Sequence, residues 1–367
     1  KEGVARLPKS RLPDDFLTSL PFTLTQAQQR VITEIKRDIS STTRMYRLLQ
    51  GDVGCGKTVV ALYALLYTVA AGYQGVLMAP TEVLAEQHFL GISRLVSQLG
   101  VRVDLLTGSL GKKEREQCLE LLKSGTTDIM IGTHALLEEE VVFANLGLVI
   151  IDEQHRFGVQ QRDILLSKAA APDVLIMTAT PIPRSLTLTV YGDLDLSVID
   201  ELPPGRKRVK SYFMPSSEKN RVYRFVRKEL EAGRQAYVVC PLIEESDHLD
   251  VEAAVLRFQE LKREFSDFNV ALIHGRLKLQ EKEGVMNAFR RGDVDLLVAT
   301  SVIEVGIDVS NASIIVIEGV ERFGLAQLHQ LRGRVGRGSQ ESFCVLIGNP
   351  QTEEARERIK ILVQNHD

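Results

Sequence analysis

The sequence lacks the excess of positive charge that often accompanies a nucleic-acid partner: 45 Lys and Arg stand against 48 Asp and Glu, a net charge of −3. Local clusters and backbone amides can still grip phosphates, and net charge does not count them. It also lacks paired cysteines. Cys55, Cys118, Cys240 and Cys344 lie far apart, with no CxxC and no histidine at metal-ligand spacing. That argues against a disulfide framework or a metal site and suits reduced thiols in a cytoplasmic protein. No apolar run reaches the roughly 18 residues of a membrane span, so no membrane partner is expected. The residues from Lys1 onward do not read as a signal peptide, so none is expected, and no short-period repeat or low-complexity tract occurs.

What is present is a globular composition, 44 % hydrophobic and 25 % charged over 367 residues, which accommodates two domains. Residues 1–21 are mixed and contain Pro8, Pro13 and Pro21. They read as a connector, and a start without Met leads us to expect residues upstream. Helical spacing predicts a helix over 25–39. Short apolar strands then alternate with helices, with strands at 46–50, 75–79, 101–106, 128–132, 148–151 and 174–178. The run Asp200-Glu201-Leu202-Pro203-Pro204-Gly205 breaks the alternation. It restarts with strands at 235–239, 269–273, 295–299, 313–317 and 342–347. Fully apolar strands between helices predict parallel sheets covered on both faces. The expected organisation is a connector (1–21), a first α/β domain (22–205), a second (206–349) and a helical segment (350–367).

Gly51-Asp52-Val53-Gly54-Cys55-Gly56-Lys57-Thr58 fits GxxxxGK[ST] between a predicted strand and a predicted helix. Glycines let backbone N–H groups wrap a phosphate, the helix N-terminus favours its charge, Lys57 reaches the β- and γ-phosphates and Thr58 offers a hydroxyl to Mg²⁺. Cys55, beside that N-terminus and Lys57, is read as a thiol of lowered pKa, with a buried inert cysteine as the even alternative. Val149-Ile150-Ile151-Asp152-Glu153-Gln154-His155 delivers two acids at the carboxyl end of a strand, where α/β sheets bind ligands. Asp152 is placed on Mg²⁺ through water, and Glu153 as the base that takes a proton from the attacking water. The expected cofactors are ATP and Mg.

A P-loop alone would also suit a kinase, a GTPase or an ABC-type ATPase. The second half argues otherwise. Gln327–Gly338 carries Arg332, Arg334 and Arg337 among the apolar Leu328, Leu331 and Val335. Arg334 and Arg337, three apart, are expected as neighbours on a docked helix and as arginine fingers.

These motifs, in this order, resemble the superfamily-two helicases over residues 22–349. Thr25–Gln28 resembles the element whose glutamine reads adenine, and Gln28 can meet the N6/N7 edge in two places. Ala79–Glu82, Gly132–His134, Thr178–Thr180, Ala299–Asp308 and Gln330–Arg337 resemble further family motifs. The resemblance implies two tandem RecA-like domains with ATP between them. It implies nucleotide contacts at Gln28, Gly51–Thr58, Gly306 and Asp308, and coupling roles for His155, Thr178, Thr180 and Gln330. DNA contacts are expected at Pro80, Thr81, Gly108, Thr133 and His134, and at His274, Gly275, Arg276 and Thr300. Segments such as Asp152–Val159, Thr180–Arg184, Ile199–Arg206 and Leu242–Ser246 resemble a bacterial branch-migrating member that remodels stalled forks and Holliday junctions. The resemblance implies a wedge upstream of Lys1 and a helical hairpin that is not complete by Asp367, so neither is expected whole within these residues. The partner expected is double-stranded and branched DNA, and the chain is expected to be monomeric. Three readings stay open: a DNA translocase of this type or of its transcription-repair coupling relative, an RNA helicase with the same motor, and a binding protein with a degraded motor.

Overall fold

The computed structural model describes residues 3–153, 159–179, 194–201, 203, 207–241, 247–300, 309–336, 338 and 340–364. The chain divides into two units, Lys1–Pro204 and Gly205–Asp367.

In the first unit, α1 (Leu12–Ser19) and α2 (Gln26–Ile39) precede β1 (Tyr46–Gly51) and α3 (Lys57–Ala70). There follow β2 (Gln74–Met78), α4 (Glu82–Val96), β3 (Val103–Leu106), α5 (Lys112–Lys123), β4 (Ile129–Gly132) and β5 (Leu146–Asp152). Then come α6 (Val159–Ser167), β6 (Asp173–Thr178) and β7 (Asp195–Ile199). The described strands form one sheet in the order β3-β4-β2-β5-β6-β1-β7, every pair parallel. Successive strand residues point to opposite faces. Leu77, Ile131, Ile150 and Leu175 pack under α2, α3 and α4, while Val76, Met130, Val149 and Ile151 pack with Leu122 of α5 and Leu165 of α6. Both faces are therefore dry, which is why the strands read as unbroken apolar runs. Helix α3 buries ten of its 14 residues, as expected of a helix apolar all round.

Residues 3–20, within the stretch expected as a connector, pack on the first unit. Lys9 N–H donates to the Ala70 carbonyl at 2.7 Å and Arg6 N–H to that of Ile39 at 2.9 Å. Arg6 pairs with Asp173 at 2.6 Å, and Phe16 of α1 is fully buried in the core. The prolines do not prevent this, because Pro13 falls in the first turn of α1, where a missing N–H costs nothing.

The second unit runs β8 (Lys210–Pro215), α7 (Lys219–Glu231), β9 (Gln235–Val239), α8 (Asp247–Glu264), β10 (Val270–Ile273) and α9 (Leu279–Arg291). It continues with β11 (Leu296–Ala299), β12 (Ala312–Glu318), α10 (Leu325–Arg332), β13 (Phe343–Gly348) and α11 (Glu353–Gln364). Its described strands are again all parallel, in the order β10-β11-β9-β12-β13-β8. One face packs on Val226, Leu261 and Phe265; on the other, Phe289 of α9 meets Tyr237 edge to face at 4.8 Å.

The two sheets repeat each other down to single hydrogen bonds. Gln74 opens β2 and donates from Nε2 to the carbonyls of Leu122 and Thr127; Gln235 opens β9 and donates to those of Phe289 and Val294. Asn145 reaches back to the Gly72 carbonyl and Asn311 to that of Gly233. Asp128 accepts from Arg102 N–H and Asp295 from Asn269 N–H, each at 2.8 Å. The molecule is thus two tandem RecA-like domains, each a parallel sheet with helices on both faces.

Candidate functional site

In the first domain the candidate site forms where β1, β6 and β5 end side by side. Register pairs Gln50 with Thr178 and Met177 with Asp152, so the P-loop, Thr178 and the acidic pair share one sheet edge. At roughly 4.8 Å per strand, Asp152 lies about 10 Å along that edge from the root of the P-loop.

The loop 51–58 turns through two left-handed glycines, Gly54 (φ 76°) and Gly56 (φ 91°). Such a turn at a helix N-terminus makes the concave nest that binds anions. Gly56 is required twice, because a Cβ there would also lie 2.2 Å from Gln28 Nε2. Lys57 Nζ donates to the carbonyls of Gly51 (2.7 Å) and Asp52 (3.0 Å), which folds the ammonium over the loop. The Asp52 carboxylate accepts from Val53 N–H at 2.7 Å. Thr58 is half-buried in the first turn of α3 and Val53 half-buried in the loop. Gln28 is buried: its Oε1 accepts from Thr25 N–H, closing a capping box on α2, and its Nε2 donates to the Cys55 carbonyl at 2.8 Å.

Cys55 is 1 % exposed. The loop folds over the sulfur, against Gly51, and this burial favours the inert alternative over the reactive thiol.

Asp152 is buried at the end of β5, and its Oδ2 accepts from His88 Nε2 of α4 at 2.8 Å. Glu153 follows in the left-handed region (φ 50°), the single non-glycine among the described residues with positive φ, and its N–H donates to the Met177 carbonyl at 3.0 Å. His88 escaped the sequence reading. The signal for it was a polar residue in the otherwise apolar inward stripe Ala85, His88, Ile92, Val96.

The expected DNA contacts of this domain end three adjacent strands. Pro80 and Thr81 follow β2, and Thr81 caps α4; exposed Gly108 follows β3; buried Thr133 and exposed His134 follow β4. In the second domain His274, Gly275 and Arg276 follow β10 and Thr300 follows β11. Thr133 N–H donates to the Leu106 carbonyl and Thr300 N–H to that of Ile273, so the two threonines hold equivalent places in the two sheets. Among the described residues, Thr133 Oγ1, Thr300 Oγ1 and His274 Nδ1 are buried without a hydrogen-bond partner. Burial, then Lys282 and Arg276, lowers the His274 pKa below its usual value.

The arginine run is not one helix. Helix α10 stops at Arg332, with Gly333 as its C-cap and Gly336 left-handed at φ 81°. Arg334 stands in the turn beyond, its N–H on the Leu331 carbonyl, outside the helix expected of it. Arg332 is buried and donates to the Leu362 carbonyl of α11 at 3.4 Å. Gln330 is buried within α10. His155, Thr180, Gly306, Asp308 and Arg337 lie outside the described residues.

Residues 25–189 match the DEAD/DEAH box helicase family and residues 219–339 the helicase conserved C-terminal domain. The ATP-dependent DNA helicase RecG of Bacillus subtilis (strain 168) is 54 % identical over 353 residues, 96 % of this chain and 52 % of that protein. The protein of the same name from Thermotoga maritima is 52 % identical over 366 residues, 100 % of this chain and 47 % of that protein. The structure of RecG bound to a three-way DNA junction superimposes with a TM-score of 0.86 at 48 % identity, covering 100 % of this chain and 48 % of that one. The chain thus spans about half the length of the relatives it matches. It belongs to the RecG family of helicases, and its two units are that family's paired helicase domains.

Proposed function

We propose that the chain is the ATP-hydrolysing motor of a helicase that moves on double-stranded DNA and remodels branched DNA. The observation that carries this reading is a single sheet edge bearing both the glycine nest with Lys57 and, two strands away, Asp152 and Glu153. A nest with a lysine binds phosphate, and an acid beside it serves water attack on the γ-phosphate.

In this reading backbone amides of 51–58 hold the phosphates, Lys57 neutralises the β- and γ-oxygens, and Gln28 faces the adenine edge. Glu153 accepts the proton of the attacking water, and Arg334 and Arg337 meet the charge that develops in the transition state. Mg²⁺ fits the donors present. Thr58 and Asp152 offer oxygen ligands only, and no group of three or more His, Cys, Asp or Glu forms a protein cage among the described residues. That suits a small hard cation which keeps water and shares the substrate's phosphates. When bound, it would draw charge from the γ-phosphate and the leaving oxygen.

Thr133 and Thr300 hold equivalent places at the ends of β4 and β11, and phosphate contacts made at those strand ends would position the nucleic acid without reading sequence. The preference for branched DNA rests on the three-way junction bound in the RecG structure. We propose a monomer; the four free cysteines suit a reducing, cytoplasmic setting, and no helix among the described residues is long and apolar enough to cross a membrane.

ATP hydrolysis measured with linear duplex, branched DNA and RNA tests the reading. Both DNA forms are expected to stimulate turnover and RNA is not; Lys57→Ala is expected to abolish turnover with circular dichroism unchanged. Stimulation by RNA alone would favour an RNA helicase, and full turnover by Lys57→Ala would remove the P-loop from the chemistry.

A further inference from the structure

Helix α4 grips the sheet edge at two points. In its first turn Glu82, 8 % exposed, accepts from Ser109 N–H at 3.1 Å and thereby holds the loop Thr107-Gly108-Ser109 after β3. Six residues on, His88, also 8 % exposed, holds the Asp152 carboxylate at the end of β5 at 2.8 Å. Strands β3 and β5 are not neighbours; β4 and β2 lie between them. The two loops are about 15 Å apart along the edge at ordinary strand spacing, and one rigid element touches both. The N-cap of this helix, Thr81, belongs with Gly108 to the proposed DNA contacts.

Each grip has a chemical cost that packing does not explain. The inward positions of α4 are otherwise apolar, with Ala85 and Ile92 fully buried. An imidazole there gives up water and is retained only if it is hydrogen-bonded. A carboxylate accepts and cannot donate, so the proton lies on His88 Nε2. Binding Oδ2 fixes the rotation of the carboxylate and leaves Oδ1 as the oxygen free to turn outward. Metal-ligating groups are commonly held this way by an outer partner, which sets ligand orientation.

We propose that His88 is a positioning residue for Asp152, and that with Glu82 it makes α4 the link by which DNA on the 107–109 loop sets the magnesium requirement of the nucleotide site. The inference rests on Asp152 as the carboxylate that serves the metal. A histidine that merely filled the core would affect stability and nothing else. A positioning histidine affects metal binding, and by reciprocity DNA and magnesium then shift each other's affinity.

The test is equilibrium binding of a fluorescent ADP to the whole chain, titrated with magnesium chloride, with and without linear duplex DNA. In His88→Leu the half-saturating magnesium concentration is expected to rise about 10- to 100-fold, the usual loss on removing an outer-shell partner. Affinity for ADP in EDTA should stay as in the wild type. His88→Gln, which keeps a donor at similar reach, should recover most of the shift. In Glu82→Ala the magnesium requirement should no longer respond to DNA. Should the leucine variant not fold, His88→Asn, checked by its melting transition, is judged by the same criterion. An unchanged magnesium requirement in a folded variant would overturn the proposal, as would a DNA effect that survives in Glu82→Ala. A wild-type chain whose ADP binding ignores magnesium would instead overturn the role of Asp152 itself.

Discussion

Gln28 and Cys55 are joined across the P-loop: the amide of Gln28 donates to the Cys55 carbonyl at 2.8 Å while its oxygen accepts from Thr25 N–H at 2.9 Å. These bonds fix which end of the amide is which. Each end retains one further position, a second N–H and a second lone pair, and in that orientation they match the N7 and N6 of adenine. Gln28→Ala is therefore expected to lose two things together. Removing the capping box should cost about 1 kcal/mol of stability, read from a urea melt. Preference for ATP over GTP should fall as well, read from competitive binding. Lost stability with preference intact would confine Gln28 to bracing the loop.

The same contact makes a prediction about glycine. Gly56 has φ 91°, and an added Cβ would lie 2.2 Å from Gln28 Nε2, whereas Gly91, inside α4, has nothing within 4 Å. Gly56→Ala should destabilise the chain by roughly 1–3 kcal/mol and abolish nucleotide binding. Gly91→Ala should stabilise it by up to about 1 kcal/mol and leave binding alone. Thermal melts and ADP titration of the two variants decide both.

The buried sulfurs predict an inert thiol set. All four cysteines are buried, and burial pushes Cys118 up to about 11 and Cys240 and Cys344 up to about 12. Thiolate is the reactive form, so iodoacetamide at neutral pH should leave the native chain unmodified and add four groups in urea. A native chain alkylated at Cys55, by mass spectrometry, would restore the reading of a thiol of lowered pKa.

What could be read from the sequence divides along physical lines. The P-loop and the acids ending β5 were legible because their chemistry demands particular residue types at fixed spacing. The central strands were legible because burial on both faces makes them unbroken apolar runs. Strand β7, with Asp195 exposed, and β8, ending in Pro215, are sheet edges with one side wet, and neither pattern stands out. Helix α5 buries only Cys118 and Leu122 and otherwise reads as charge. The end of α10 at Arg332 depended on Gly333 and Gly336, which a three-residue spacing of arginines overlooks. The stripe of α4 marks His88 as a buried polar position, but its partner was out of reach: Asp152 is 64 residues away, and only the fold brings them together.

The buried pair Arg6–Asp173 predicts a pH dependence of opposite sign to the usual carboxylate. Burial pushes the Asp173 carboxyl up from 3.8 to about 6, against the pull of Arg6 and the Met45 N–H. The folded state then holds a proton that the unfolded state has released, so stability from this group is full below 3.8 and is lost as pH rises through about 6. Relative to Asp173→Asn, which cannot titrate, the wild type should lose on the order of 2–3 kcal/mol between about pH 4 and pH 6.5, measured by urea unfolding. A wild type that gains on the asparagine variant across that range would mean that Arg6 outweighs burial.

Glu153 carries the last prediction. Its backbone is held at φ 50°, with the N–H committed to the Met177 carbonyl. For a residue with a Cβ this conformation costs about 1–2 kcal/mol, and glycine adopts it freely. Stability alone would favour glycine here, so the glutamate is kept for something its side chain does, which fits a base that must sit at one spot on the sheet edge. Glu153→Gln and Glu153→Gly should both bind ATP and both fail to hydrolyse it, since each lacks the carboxylate. Their stabilities should differ. Glutamine keeps the strain and should melt close to the wild type; glycine relieves it and should gain about 1 kcal/mol, reduced by the greater freedom of glycine in the unfolded chain. Binding of a fluorescent nucleotide, phosphate release and urea melts on the two variants separate these effects. Equal melts would mean that the left-handed turn at Glu153 is not strained, and normal hydrolysis by the glutamine variant would mean that Glu153 is not the base.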